Sequence, residues 1–89
     1  MYLHLGQSVV VPDRDIIGIF DLDNSSYSRW TREFLEKSEK AGRVISVTDD
    51  LPKSFALCQD RRGRVTVYLS QLSSATLKGR MESNSMEME

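Results

Sequence analysis

One cysteine, one histidine and two prolines are all that these 89 residues hold of those types, and each scarcity removes a class of function. With Cys58 as the single thiol no internal disulfide can form, and the chain suits a reducing compartment. With His4 as the single histidine, a metal site of ordinary ligand type cannot be gathered from one chain. No apolar run approaches the length that spans a bilayer, and Met1-Tyr2-Leu3-His4-Leu5 lacks the basic region and apolar core of a signal peptide. The expectation is a cytoplasmic protein that neither enters nor binds a membrane. No internal repeat, Gly-rich phosphate loop or helix-borne carboxylate pair appears, and no cofactor is expected.

What is present is ordinary for a soluble domain, with 39% hydrophobic and 28% charged residues. A chain of this size buries a modest core, so self-association is a natural source of further stability. The net charge of −1 hides an uneven distribution. Residues 1–52 carry 6 Lys/Arg against 9 Asp/Glu, residues 53–80 carry 6 against 1, and residues 81–89 carry none against 3. A basic second half fits an anionic partner or a solvated surface.

The apolar run Asp15–Asp21, rich in β-branched residues, predicts a buried central strand, with Asp23, Asn24, Ser25 and Ser26 suited to cap the helix that follows. Before it, Tyr2–Leu5 and Ser8–Val11 predict a hairpin turning at Gly6-Gln7, stopped by Pro12. Tyr27, Trp30, Phe34, Leu35, Ser38 and Ala41 recur at helical spacing, so Trp30 is expected in the core in preference to serving as a stacking platform for a base, and Gly42 should end the helix. Glu33 with Lys37 and Glu36 with Lys40 are spaced to pair on its outer face. Strands are expected over Arg43–Thr48, Ser54–Cys58 and Val65–Ser70, the last cleanly alternating, and the unpaired sheet edge is expected at either the N-terminal hairpin or Val65–Ser70. Ser73 or Ser74 should cap a short second helix ending near Arg80. The fold class is therefore α+β, a small, mostly antiparallel sheet in the order ββ-β-α-β-β-β-α with one main amphipathic helix packed on it. Residues 1–80 form a single domain, and 81–89 are expected to be a disordered acidic tail.

Three patterns suggest chemistry, and each has a plainer explanation. Phe20-Asp21-Leu22-Asp23-Asn24 after a strand looks like the first motif of the haloacid-dehalogenase phosphatases, which would make Asp21 a nucleophile. That fold needs further βα units, and Asp49-Asp50 precede Lys53 in the reverse of its order, so Asp21 and Asp23 are read as strand end and cap. A Cys58–His4 nucleophile pair is outweighed by a small core cysteine. The serines and threonines after Leu69 have no activating base at a fixed offset, which leaves capping and turn formation as their role.

Met1–Gly6, Ile16-Ile17-Gly18-Ile19-Phe20-Asp21, Leu51-Pro52-Lys53-Ser54-Phe55, and Tyr68-Leu69-Ser70 with Ser73-Ser74-Ala75-Thr76-Leu77-Lys78 together resemble the RemA/RemB family of bacterial extracellular matrix and biofilm regulators. The resemblance covers residues 1–80 in order and is greater to the RemB branch. It implies a non-enzymatic, cytoplasmic transcription regulator that binds DNA as a ring-shaped homo-oligomer, with a LytTR-like fold. The family's DNA-binding branch carries clustered arginines in the turn that here reads Asp49-Asp50-Leu51-Pro52-Lys53, where only Lys53 keeps the charge. Either other basic residues hold DNA, or this branch has a protein partner or scaffold role in its place. The candidate DNA-binding residues are Lys53, Arg61, Arg62, Arg64, Lys78 and Arg80, and a paralogous regulator is a further possible partner.

Overall fold

The computed structural model describes residues 1–22 and 28–87, with side chains as far as Ser83. The chain opens with a hairpin of β1 (Tyr2–Gly6) and β2 (Val9–Pro12), then a 3-10 turn over Asp13–Asp15. There follow β3 (Ile16–Asp21), α1 (Arg29–Lys40), β4 (Val44–Ser46), β5 (Ser54–Gln59), β6 (Val65–Ser70) and α2 (Ser74–Glu87). The architecture is α+β, in the element order expected from the sequence. The hairpin turns where Gly6 and Gln7 both take positive φ, at 133° and 46°, and the His4 imidazole closes it with a 2.6 Å bond between Nε2 and the Gln7 carbonyl.

Strands β3 to β6 form one sheet in the order β3-β5-β6-β4, with β4 parallel to β6 and the other pairs antiparallel. This corrects two expectations. The Ile16–Asp21 strand lies at an edge instead of the centre, and of the two places expected for an unpaired edge Val65–Ser70 is ruled out, since it lies inside the sheet. The apolar run misleads because its large residues are divided among directions. Ile16 and Ile19 join the core with Cys58 and Ala56, Phe20 faces the opposite side with Phe55, and the register shift between Ile16 and Gly18 leaves Ile17 58% exposed. A Cβ at Gly18 would meet the Phe20 ring at 2.9 Å, so any larger residue there would displace that ring.

Alternation along the strands gives the sheet two covered faces. On one, Ala56, Cys58 and Ile19 pack with Leu3, Leu5 and Val11 of the hairpin and Leu77 of α2. On the other, a column of rings runs Phe20–Phe55–Phe34–Trp30, with centroid separations of 4.9, 6.2 and 5.6 Å. Each fully buried side chain of the Leu or Phe class, such as Leu3, Leu5, Phe55 and Leu77, stabilises by roughly 1.5–3 kcal/mol. Trp30 is not a core residue. It stands in the first turn of α1 as the outermost ring of the column and is 63% exposed.

Helix α1 begins at Ser28, whose Oγ accepts the Thr31 N–H; the caps expected at 23–26, and Tyr27, lie outside the described residues. Its end is a Schellman motif, with Gly42 at φ 73° and the N–H groups of Gly42 and Arg43 donating to Glu39 and Ser38. Glu33 pairs with Arg29 at 3.2 Å and not with Lys37. Ser73 caps α2 through the Thr76 N–H. That helix runs on to Glu87, past the expected end near Arg80, because no Gly or Pro follows Gly79 and Met81 is half-buried against the core. The segment 81–87 is thus helical and not a disordered tail.

At one end of the sheet Ser54 and Ser70 face each other across β5 and β6, both fully buried. Ser70 Oγ donates to the Leu5 carbonyl at 2.6 Å and accepts the Leu72 N–H, while Ser54 Oγ donates to the Leu72 carbonyl at 2.7 Å. These hydroxyls tie the hairpin, the sheet and the entry to α2 together.

Candidate nucleic-acid interface

The turn between β5 and β6 is built around Asp60. Its Oδ1 accepts the N–H groups of Arg62 and Arg64, both at 2.9 Å, and its own N–H donates to the Arg64 carbonyl. Gly63, at φ 84°, makes the bend, and Gln59 Nε2 reaches its carbonyl at 3.3 Å. An Asp accepting from the backbone two residues on is a usual way to fix a turn. Here it also holds one carboxylate oxygen of the only acid in the loop against the backbone. Arg61, Arg62 and Arg64 are exposed, and among the described residues no protein group bonds their guanidinium groups. Three cations thus stand on a stiff hairpin with their donors unspent, an arrangement suited to phosphate oxygens.

The fold adds a fourth cation. Because β4 pairs in parallel with β6, the residue before β4 is carried to the hairpin end, where the Arg43 carbonyl accepts the Val67 N–H at 2.8 Å. Arg43 and Arg64 flank a groove of about 470 Å³ lined also by Ala41, Gly42, Ile45, Gly63, Val65 and Thr66. Lys37 and Lys40 occupy the last turn of α1 immediately before it, where cations also offset the negative end of the helix dipole. No local pattern marks Arg43; its place depends on the parallel pairing of strands distant in sequence.

The other expected residues are elsewhere. Lys53 precedes β5 at the opposite end of the sheet, beside Asp49 and Asp50, about 20 Å away given roughly 3.3 Å per strand residue. Lys78 and Arg80 are exposed on α2, and Arg80 Nη1 is committed to the His4 carbonyl at 3.0 Å. The six expected cations therefore divide among three places, and only the hairpin three cluster.

His4 is occupied by its own turn, and Cys58 is buried in β5. Burial, and then the charge of Asp15, push the Cys58 thiol up to about 11, which keeps it protonated and unreactive at neutral pH. Asp21 ends the edge strand opposite Ser54. Among the described residues no helix is long and apolar enough to cross a membrane.

The chain is 39% identical over 82 residues to the extracellular matrix regulatory protein B of Bacillus subtilis (strain 168), an alignment that covers 92% of this chain and 91% of that protein. The family model described as extracellular matrix regulatory protein A-like matches residues 2–81. With nearly the whole chain in register, it belongs to the RemA-like family of extracellular matrix regulatory proteins.

Proposed function

We propose that this protein is a DNA-binding transcriptional regulator of extracellular matrix genes, working as a ring-like homo-oligomer and not as an enzyme. The observation that carries this reading is the Asp60-braced hairpin with Arg61, Arg62 and Arg64 exposed and uncommitted. A chain with a net charge of −1 gains little from its overall field, so affinity has to come from local clusters repeated around an assembly. Each phosphate neutralised by an arginine releases condensed counterions and steepens the salt dependence. Assembly has open edges to work with: β3 and β4 bound the sheet and expose Ile17 and Ile45, at 58% and 45%. The name of the Bacillus subtilis relative supplies the regulatory role and the matrix target. Lys53, Lys78 and Arg80 act as secondary contacts, and a paralogous subunit is a fitting alternative neighbour in the ring.

The test is to change Arg61 and Arg62 together to Ala and to measure DNA affinity across a salt series, with the assembled mass followed by light scattering. We expect at least a tenfold loss near physiological salt, and a log–log slope lower by about 0.9 for each phosphate that is no longer neutralised. Unchanged affinity and slope with the assembly intact would remove the hairpin from the interface. A second reading, a protein-interaction module, is favoured by one observation: Leu51 is 88% exposed beside Asp49 and Asp50, at the turn where the resemblance leads one to expect arginines. Wild-type protein that fails to shift any DNA at low salt would favour it.

A further inference from the structure

The two ends of the sheet are opposite in charge and in shape. At one end the 48–53 loop carries Asp49 and Asp50, with Leu51 projecting beside them at 88% exposure. The loop is held in place. Ser46 Oγ donates to the Thr48 carbonyl at 2.7 Å, Thr48 Oγ1 accepts the Asp50 N–H at 3.0 Å, and the Lys53 N–H donates to the Ser70 carbonyl at 2.8 Å. At the other end lies the 470 Å³ groove between Arg43 and Arg64, with Ile45 and Val65 among its lining and bare backbone at Gly42 and Gly63.

We infer that the Asp49–Leu51 loop of one copy seats in the Arg43–Arg64 groove of the next. Leu51 covers Ile45 and Val65, and Asp49 and Asp50 meet the two arginines. The groove suits a protein knob better than a phosphate chain, because phosphates would satisfy the arginines and leave its apolar lining wet. The loop is already ordered by its own hydrogen bonds, so docking it costs little conformational entropy. Knob and groove lie at opposite ends of strands about 20 Å long, so one subunit cannot satisfy both within itself. A reciprocal two-fold pair would use up both surfaces in a dimer, so the proposed ring requires the contact to repeat head-to-tail, the kind that closes when the rotation per step permits. The contact withdraws Arg64 from the DNA-facing set, while Arg61 and Arg62 do not line the groove and stay free at the hairpin tip. The inference deepens the proposed self-assembly and rests on it, and it names the surfaces that meet.

The experiment uses full-length protein at tens of micromolar with mass measured by light scattering. Variants Asp49→Lys/Asp50→Lys and Arg43→Glu/Arg64→Glu are each expected to fall to monomer. All four positions are exposed, so circular dichroism and melting should match wild type. An equimolar mixture should re-associate into assemblies of alternating variants, because each variant keeps one original half of the contact and the reversed halves match each other. Leu51→Ser, which alters no charge, should raise the concentration for half-assembly at least tenfold. Variants that keep the wild-type mass, or a mixture that stays monomeric, overturn this contact while the assembly itself stands. A monomeric wild type overturns both.

Discussion

Cys58 joins chemistry to packing through one proton. Its ordinary thiol value is 9.0, and burial, followed by the negative charge of Asp15, raises it to about 11 in the fold. The folded state then holds the proton more tightly than the unfolded chain does. The associated stability is complete below pH 9 and is lost as pH climbs toward 11. Burial, and then Cys58 and Asp15, also push the Tyr68 hydroxyl upward, so the two groups act in the same direction. We expect the melting temperature to drop between pH 9 and 11, with a shallower drop for Cys58→Ala. A thiol reagent at pH 8 should label Cys58 quickly in denaturant and slowly in buffer. A melting curve equally steep in the Cys58→Ala variant would show that the thiol is not the responsible group. At this scale the sequence was a fair guide to Cys58, which it marked as a small core residue. It misplaced Trp30, because helical spacing says which positions share a face but not how far the sheet beneath them extends.

Among the elements, Ser70 is the bolt. Its hydroxyl serves the Leu5 carbonyl and the Leu72 N–H together, at full burial, so Ser70→Ala leaves one acceptor and one donor without a partner. The expected loss is about 2–3 kcal/mol by denaturant unfolding at unchanged slope, against about 1–2 kcal/mol for Ser54→Ala, which strands only the Leu72 carbonyl. A loss below about 0.5 kcal/mol for Ser70→Ala would mean that water or a shifted chain takes over the role. The elements themselves were legible, because strand alternation, the Gly42 stop and the Ser73 cap are local signals. Their pairing was not. The order β3-β5-β6-β4 depends on a helical crossover from one edge of the sheet to the other, and no window of sequence contains it. The end of α2 was misjudged for another reason, since acidic composition resembles a tail even where Met81 still has core to reach.

On the scale of the molecule, charge is arranged along the sheet, and the sequence showed half of that. The basic run Arg61–Arg64 was visible because it is contiguous, whereas Arg43 joins it only through the parallel strand. Net charge offers a separate handle on DNA affinity. Ending the chain at Met81 removes Glu82, Glu87 and Glu89 and takes the formal charge from −1 to +2, while the Met81 contact remains. Affinity should rise severalfold at about 50 mM salt and converge with wild type at high salt, where screening is short-ranged. A difference that persists at high salt would point to a specific contact by residues 82–89. The bonds from Ser70 to Leu5 and from Arg80 to His4 bridge 65 and 76 positions of chain. Strand β1 therefore cannot find its seat until the residues 65 and 76 positions further along the chain are there to hold it. Closing the β1–β2 hairpin against the sheet is thus a slow long-range step and not a local one.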